Sequence, residues 1–373
     1  MSNLRINTDI IAGPNKLDYL NEYLNNSQTK SPLIIYDYNL YKKNEYFRNF
    51  LNKNNFKLQD KYEYNFEPSY QYVKKKLDIF RNNEEISKVD LIISVGGGST
   101  IDYSKAIALL LKNPNNNPLD FKGFPISYNY PIPLIAVPTT CGTGTEVVFN
   151  ASLIDEETKL KMGINAKANT PILSILDPNL IINSPKKVLY SSASDTLVHI
   201  IEGLTSKKAN EFSKIFSKKS FELFIQPITN LFERSNDVNE IMKLQWASSF
   251  AMIGMSNASH GVSGALSYFL GTHYKINHGI AGGFFLQKIC KYNHKKGYFG
   301  LGELINDYSN KGSEKVIYLI DQVISKFLNE FDLNYLSSEL KKDQEFKNFL
   351  EKMQANFDLN PVEINKDNIL DCL

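Results

Sequence analysis

A run of three glycines followed by a hydroxyl and a carboxylate is the segment of this chain best suited to binding phosphate. The run is Gly96, Gly97 and Gly98, with Ser99 and Asp102 after it. Backbone N–H groups without Cβ atoms beside them can approach phosphate oxygens closely, and the N-terminus of a following helix adds a favourable dipole. Ser99 is expected to cap that helix, with Asp102 as its capping-box partner. A strand-to-helix turn that binds no ligand is the alternative.

Two further segments are suited to the same nucleotide. Asp37 closes an apolar run, where a carboxylate can accept hydrogen bonds from an adenosine ribose and would repel a 2′-phosphate, which favours NAD over NADP. A helix cap is an equal interpretation of Asp37. Thr139, Thr140 and Thr143 lie in a threonine- and glycine-rich loop after another apolar run. Such a loop suits a nucleotide crevice, unless its hydroxyls only satisfy its own backbone.

A second group of residues has the chemistry of a metal site. Asp195 and His199 are four residues apart on a predicted helix, so a carboxylate and an imidazole share one face. A hydrogen-bonded core pair would have the same pattern. His278 begins another predicted helix, and three of the five histidines fall between positions 260 and 278. Clustering of so scarce a residue favours metal binding.

The surrounding elements alternate in the first half and become helical in the second. Short apolar runs bounded by turn residues predict four strands of a parallel sheet that is buried on both faces; they cover 33–37, 91–95, 134–137 and 172–176. A β-hairpin is expected within 147–164. We therefore expect an α/β domain over 1–182 and an all-helical domain over 183–373.

Length and composition are those of a globular protein with two domains. The chain has 373 residues, 42% hydrophobic and 22% charged, with a formal net charge of +2. This balance indicates neither a nucleic-acid partner nor a membrane partner. Three scattered cysteines are too few for a disulfide framework or a cysteine-based zinc site. No apolar signal segment is evident at the N-terminus, and a cytoplasmic location is expected.

Taken together, these motifs resemble the iron-containing (group III) alcohol dehydrogenase family, within the dehydroquinate synthase-like superfamily, over essentially the whole chain. The matching segments are Gly96–Asp102, Val137–Thr140 with Gly142–Gly144, Leu176–Pro178, Asp195 with His199, and His278–Ala281. The resemblance implies a Rossmann-like dinucleotide-binding domain, an all-α domain, an active site in the cleft between them, and a homodimer. It implies NAD(P)-dependent oxidation of an alcohol or reduction of an aldehyde.

The resemblance also implies roles for individual residues. Asp195, His199 and His278 would bind the metal, and Lys161 with Thr139, Thr140 and Thr143 would line the cofactor site, where Asp37 would contact the ribose. The family usually has two further histidines, at positions that correspond here to Gly264 and Tyr268. Gly264 therefore stands where a fourth metal ligand is expected.

Nearby residues are candidates for the missing functions. His260 lies four residues before Gly264 and either reaches the metal or caps and packs. Tyr268 stands where the family has an imidazole, and a phenol cannot replace that imidazole as a proton relay at neutral pH unless its pKa is strongly perturbed. The alkoxide proton would leave through water, His273 or a cofactor hydroxyl. Three protein ligands are normal for catalytic zinc, so zinc is favoured over ferrous iron.

Three functions remain open at this stage. The first is a metal-assisted NAD-dependent alcohol dehydrogenase or aldehyde reductase, with NADP not excluded and a small oxygenated aldehyde or alcohol as substrate. The second is a metal-independent reductase of the same fold, in which Gly264 marks the loss of the ion. The third is a dinucleotide-binding protein without catalysis. A synthase related to dehydroquinate synthase would need a richer set of basic substrate-binding residues than this sequence has.

Overall fold

The computed structural model describes residues 6–63, 67–125, 128–233 and 237–373. Within these residues, strands occupy the first half and long helices the second, as the sequence predicts. The strands are β1 Asp9–Ala12, β2 Pro32–Asp37, β3 Leu58–Tyr62, β4 Leu91–Gly96, β5 Leu134–Pro138 and β6 Leu173–Leu176. The helices of the first half are α1 Tyr19–Asn26, α2 Tyr38–Lys43, α3 Glu45–Asn54, α4 Tyr70–Arg81, α5 Glu84–Ser87 and α6 Gly98–Leu111.

The second half is helical over its described residues. Its helices are α7 Lys186–Thr205, α8 Glu211–Glu233, α9 Val238–Ser256, α10 Val262–His273, α11 His278–Lys295, α12 Asn310–Phe331, α13 Leu336–Lys342, α14 Gln344–Leu350, α15 Gln354–Phe357 and α16 Lys366–Cys372. Helix α7 packs against α8, α9 and α11 around one apolar core. None of the helices in the described ranges is both long enough and apolar enough to cross a membrane. The boundary at residues 182 and 183 stays a prediction.

The strands form one parallel sheet in the order β1-β6-β5-β4-β2-β3. The chain passes outward from β2 to β3 and returns on the other side of β2 as β4, so the direction of winding reverses between β2 and β4. Tyr36 pairs with Val95, which sets Asp37 beside Gly96 at the carboxyl ends of these two strands. Open parallel sheets bind ligands at this kind of switch point.

Both faces of the sheet are covered, which explains the continuous apolar runs. Leu33 and Ile35 of β2 point into one apolar core, whereas Ile34 and Tyr36 point into a second core on the other face. The fold-class prediction is therefore confirmed, and the four predicted strands correspond to β2, β4, β5 and β6. The apolar runs of the sequence do not predict the edge strands β1 and β3. Strand β3 alternates Asp60 and Tyr62, which are buried, with exposed positions, so it lacks a continuous apolar run.

The expected hairpin is an irregular one. Ala151 pairs with Ile164 and Ile154 pairs with Lys161, both as isolated antiparallel bridges. The bridges place Lys161 near the tip of the hairpin.

The start of α6 differs from the prediction. The helix begins at Gly98, Gly97 is its N-cap, and no side chain caps it. The expected Ser99 cap and its capping box with Asp102 are therefore wrong, because the helix is capped two residues earlier, at Gly97. Asp102 instead points inward, where its carboxylate accepts Thr145 Oγ1 at 2.5 Å and Ser152 N at 2.9 Å.

Candidate active site

The glycine loop and the threonine loop are in direct contact. Thr139 N donates to Gly96 O at 3.0 Å, and an added Cβ on Gly98 would lie 2.5 Å from Thr143 Cγ2. No side chain fits at Gly98 unless the threonine moves. The two segments that the sequence assigned to one nucleotide crevice therefore form one surface at the switch point of the sheet.

The same threonine loop also contacts the helix that carries the metal-binding candidates. Thr196 Oγ1 of α7 donates to Cys141 O at 2.8 Å, and the backbone of Gly142 packs against Ser192 of α7. Cys141 itself is buried, and burial raises the pKa of its thiol to about 11, so Cys141 is a packing residue. The loop therefore joins the glycine loop to α7 within one crevice.

Asp195, His199 and His278 come together at the end of this crevice. Asp195 Oδ1 lies 3.5 Å from His199 Nε2 and 4.0 Å from His278 Nε2. Asp195 and His199 are only 5% and 4% exposed. Burial lowers the pKa of His199 to about 4 and the pKa of His278 well below its usual value, so both imidazoles are neutral at pH 7. Burial raises the pKa of Asp195, against the opposing effect of His278 and then Lys161.

The chemistry of this donor set suits a divalent ion, although the side chains as they stand do not enclose one. Among the residues that the structure describes, no group of three or more His, Cys, Asp or Glu side chains is arranged to hold a metal ion. One carboxylate and two neutral imidazoles nevertheless match the three-ligand sites of catalytic zinc. The two imidazole nitrogens lie 3.5 and 4.0 Å from the same Asp195 oxygen. Ligand atoms that share one metal ion through bonds of about 2.0–2.2 Å lie at closely similar distances from one another, so these two distances would have to become more equal. The residues therefore fit an ion after a small side-chain adjustment.

Ser267 fixes the tautomer of His278. Ser267 Oγ donates its only proton to Gly264 O at 2.5 Å and lies 2.6 Å from His278 Nδ1. The hydroxyl must then accept from Nδ1–H, which leaves Nε2 of His278 as the atom with a free lone pair. A ligating histidine commonly has this arrangement.

The carboxylate of another residue, Glu202, lies where a side chain on Gly264 would begin. Glu202 of α7 accepts Gly264 N and Gly261 N, each at 2.8 Å. An added Cβ on Gly264 would lie 3.1 Å from Glu202 Oε2. The position of the expected fourth ligand is therefore partly filled by Glu202.

His260 lies on the wall of the cleft. Its imidazole keeps exposed surface although protein atoms surround it, and this burial lowers its pKa to about 4, with His199 and Lys161 contributing. Ser259, the residue before it, has a positive φ of 74°, a strained conformation for a serine that is frequent near functional sites. His199 and Lys161 are close enough to act on the pKa of the His260 imidazole, and contact of His260 with a metal stays a prediction.

Tyr268 and Lys161 form the opposite side of the cluster. The Tyr268 ring stacks on the His278 ring at 5.1 Å and an interplanar angle of 14°. Lys161 Nζ lies 4.8 Å from the Tyr268 ring centroid and 2.8 Å from Glu67 Oε1. Burial raises the pKa of Tyr268, while Lys161 lowers it, so the phenol is neutral at pH 7. The Lys161 side chain thus extends from the hairpin towards Tyr268 and the metal-binding candidates.

His273 has partners of its own at the end of α10. It is exposed there, its ring stacks on Phe269 at 4.1 Å and Nε2 lies 3.4 Å from Glu345. Its role in carrying the alkoxide proton stays a prediction.

Asp37 lies at the predicted place but also caps a helix. Its Oδ1 accepts Asn39 N at 2.7 Å and Leu40 N at 3.4 Å at the start of α2. The capping interpretation is thus correct, and the ribose contact stays a prediction. The cofactor roles of the glycines, Ser99 and the threonines also stay predictions.

Two residues that organise the site, Glu202 and Lys105, were not predicted from the sequence. Lys105 is completely buried, and its ammonium donates to Thr145 O, Val148 O and Asn150 O at 2.7–2.8 Å. A lysine inside an otherwise apolar helix segment was the available signal. Glu202 also offered one, since it lies one helical turn after His199 on the buried face.

Comparison with known proteins agrees with this geometry. The model of iron-containing alcohol dehydrogenases matches residues 7–178, and the model of the C-terminal part of Fe-containing alcohol dehydrogenases matches residues 190–373. The chain belongs to the iron-containing alcohol dehydrogenase family. The resemblance inferred from the motifs is thereby confirmed.

Individual iron-containing alcohol dehydrogenases are similar at moderate identity. The 4-hydroxybutyrate dehydrogenase of Clostridium kluyveri is 31% identical over 274 residues, which are 70% of this chain and 71% of that protein. The NAD-dependent methanol dehydrogenase of Bacillus methanolicus is 27% identical over 227 residues, 61% of this chain and 58% of that protein. The match thus spans less than two thirds of the methanol dehydrogenase. A crystal structure of 1,3-propanediol oxidoreductase has the same fold, with a TM-score of 0.86, 23% identity, and coverage of 100% of this chain and 98% of that one.

Proposed function

We propose that this protein is an NAD-dependent alcohol dehydrogenase or aldehyde reductase that acts on a small oxygenated aldehyde or alcohol. The observation that carries the proposal is the threonine loop, which contacts Gly98 through Thr143 and α7 through the hydrogen bond between Thr196 and Cys141. A nucleotide at the switch point would therefore end beside Asp195. Family membership and the NAD-dependent methanol dehydrogenase relative support the same activity.

The cofactor would lie across the carboxyl ends of β2 and β4. The backbone of Gly96–Gly98 would bind the pyrophosphate at the N-terminus of α6, with Ser99 next to it and the threonines along the side. Asp37 would accept hydrogen bonds from the ribose, and its charge favours NAD over NADP. NAD supplies or accepts the hydride when it is bound.

Asp195, His199 and His278 would hold a divalent metal, with zinc favoured over iron. The metal, when bound, supplies Lewis-acid polarisation of the substrate oxygen. The chain's own residues prepare this site: Ser267 sets the tautomer of His278, and burial keeps both imidazoles neutral and able to coordinate. His260, neutral and partly exposed at pH 7, is placed to accept a hydrogen bond from water that carries the alkoxide proton.

The test is turnover combined with metal analysis. Protein purified without chelators or a His-tag is assayed with NADH against short aldehydes and hydroxyaldehydes, and its metal is measured by elemental analysis. We expect NADH oxidation, about one metal ion per chain, and loss of both in Asp195→Ala. Asp321→Ala is the matched control, because Asp321 pairs with Lys291 at 2.7 Å on other helices. Absence of turnover with metal-loaded protein on every carbonyl compound would contradict the proposal.

A metal-independent reductase is the second candidate, favoured by Gly264 and by the lack of an enclosed ligand group in the described residues. Full activity after exhaustive chelation and in Asp195→Ala would support it. Tight NADH binding without turnover would instead indicate a dinucleotide-binding protein.

We also propose that the protein is a cytoplasmic homodimer. The resemblance to the family supports the dimer, and the three free cysteines suit a reducing compartment. Light scattering at several concentrations tests the dimer, and fractionation of the native cells tests the location.

A further inference from the structure

Tyr268 brings a hydroxyl into the cleft that the fold has not otherwise engaged. Among the described residues this hydroxyl has no hydrogen-bond partner, and Tyr268 is partly exposed. Its ring is held on His278 at 5.1 Å, with Lys161 Nζ 4.8 Å from the ring centroid. The hydroxyl is therefore free while the ring that carries it is fixed.

Lys161 is itself fixed beside this hydroxyl. Its side chain is only 7% exposed, and it forms an ion pair with Glu67 at 2.8 Å. A buried ammonium that is already paired does not attract a second full negative charge, but its field favours the oxygen end of a dipole near Tyr268. The paired Lys161 and Glu67 beside Tyr268 therefore suit a neutral hydroxylated ligand better than a carboxylate.

Two other polar side chains beside the cluster, Ser267 and Glu202, are already occupied. The Ser267 hydroxyl binds Gly264 O and His278 Nδ1, and both Glu202 oxygens accept backbone N–H groups. Gly264 adds no side chain of its own. With the carbonyl oxygen of a substrate at a metal held by Asp195 and His278, the Tyr268 hydroxyl, whose ring stacks on His278, would be available to the next polar atom of that substrate.

We infer that Tyr268 is a specificity-determining residue that hydrogen-bonds a hydroxyl adjacent to the reacting carbonyl, so that the substrates are α-hydroxyaldehydes rather than plain aldehydes. The inference rests on the proposed function and deepens it, since it assigns the substrate class to one side chain. The reaction itself is unchanged: a hydride reaches the carbonyl carbon, the carbonyl π pair moves to its oxygen, and water supplies the proton.

The experiment compares matched substrate pairs in three proteins. Glycolaldehyde is compared with acetaldehyde, and lactaldehyde with propanal, in the wild type, Tyr268→Phe and Tyr274→Phe. Tyr274→Phe is the control, because it removes a tyrosine hydroxyl at the end of the same helix that binds Asp343 at 2.7 Å. We expect Tyr268→Phe to lower kcat/KM for the hydroxyaldehydes by roughly 10- to 100-fold and to change the plain aldehydes little. The control should keep the wild-type ratio.

Each alternative outcome has one meaning. A wild type without preference for the hydroxyaldehydes overturns the inference without any variant, and so does an equal loss on both members of a pair in Tyr268→Phe. In both cases turnover of plain aldehydes leaves the proposed function standing. A wild type that reduces none of the four aldehydes overturns the proposed function and the inference with it. Thermal unfolding and NADH binding of Tyr268→Phe confirm that the variant is folded.

Discussion

The Glu202 carboxylate lies against the backbone of Gly264, so two helices meet at the position where the sequence predicts a missing metal-binding histidine. Gly264 N donates to Glu202 Oε1 at 2.8 Å, and a Cβ at Gly264 would lie 3.1 Å from Oε2. Gly261 N holds the other oxygen at 2.8 Å, so the carboxylate cannot withdraw without losing a bond. A histidine restored at position 264 would therefore have to displace Glu202.

This relationship predicts that Gly264→Ala does not stabilise α10. Alanine in a helix is usually about 1 kcal/mol better than glycine, but here the gain is opposed by crowding against Glu202. Gly271→Ala, in the same helix, is the matched control, since its Cβ would meet only Ile276 O at 3.7 Å. Urea unfolding should show stabilisation of about 0.5–1 kcal/mol for Gly271→Ala and none for Gly264→Ala. Equal gains would mean that Glu202 moves freely.

Ser267 gives a second prediction, about metal affinity. Removing the hydroxyl in Ser267→Ala leaves His278 Nδ1 without its acceptor, so the tautomer with a free Nε2 is no longer favoured. Loss of such a supporting partner typically weakens metal binding 10- to 100-fold. Competition with a zinc chelator measures the affinity, and Ser338→Ala, which removes a bond to Tyr335 O on α13, is the control. An unchanged affinity in Ser267→Ala would show that His278 is not a ligand.

Much of the fold could be predicted because its signals are local. The apolar runs of β2, β4, β5 and β6 and the glycines before α6 are contiguous in sequence. Strand β1 escaped detection because it is a four-residue edge strand, and β3 because its exposed positions are polar.

The site was predicted less completely because its supporting contacts are distant in sequence. Glu202 binds Gly264 across 62 positions and Asp102 binds Thr145 across 43, and no periodicity reports such pairs. His273 shows the same limit of the sequence, since its closeness to His278 along the chain does not reveal its contacts with Phe269 and Glu345 at the end of α10.

Glu202 predicts a pH-dependent stability. Burial raises the pKa of its carboxyl from 4.5 to about 7, against the opposing effect of the N–H groups of Gly264, Gly261 and Ser263. The folded state thus keeps a proton that the unfolded state releases between about pH 4.5 and 7, and stability falls as pH rises through that window. The slope approaches at most about 1.4 kcal/mol per pH unit.

Glu202→Gln tests this contribution, because glutamine does not titrate. The free energy of unfolding of the wild type, minus that of Glu202→Gln, should decrease from pH 4.5 to 7 and level off above. Denaturant unfolding at half-unit pH intervals measures the difference. A difference independent of pH would show that Glu202 is ionised throughout.

The close contact between Gly98 and Thr143 predicts a loss of cofactor binding. In Gly98→Ala the new methyl would lie 2.5 Å from Thr143 Cγ2 and 2.7 Å from Oγ1, so the two loops must separate. We expect the dissociation constant for NADH to rise roughly tenfold or more, which corresponds to about 1.4 kcal/mol. Adding Thr143→Ala removes both contacting atoms and should restore part of the affinity. Unchanged affinity in Gly98→Ala, measured by calorimetry, would place the cofactor elsewhere.

Replacement of Lys105, which does not contact the cleft, should strongly destabilise the folded protein. Its ammonium donates to Thr145 O, Val148 O and Asn150 O and lies 4.0 Å from Asp102. Lys105→Met would remove the ammonium that three carbonyls and a buried carboxylate share, a change that typically costs about 3–5 kcal/mol.

The segment that Lys105 holds continues directly from the threonine loop, so Lys105→Met should weaken NADH binding as well as stability. Lys112→Met is the matched control, because Lys112 is exposed at the end of the same helix and its loss should change either quantity little. Denaturant unfolding and NADH titration on the two variants separate the effects. A Lys105→Met protein as stable as Lys112→Met would mean that water or a shifted backbone satisfies the carbonyls. The buried ammonium would then not be what orders the residues after the threonine loop.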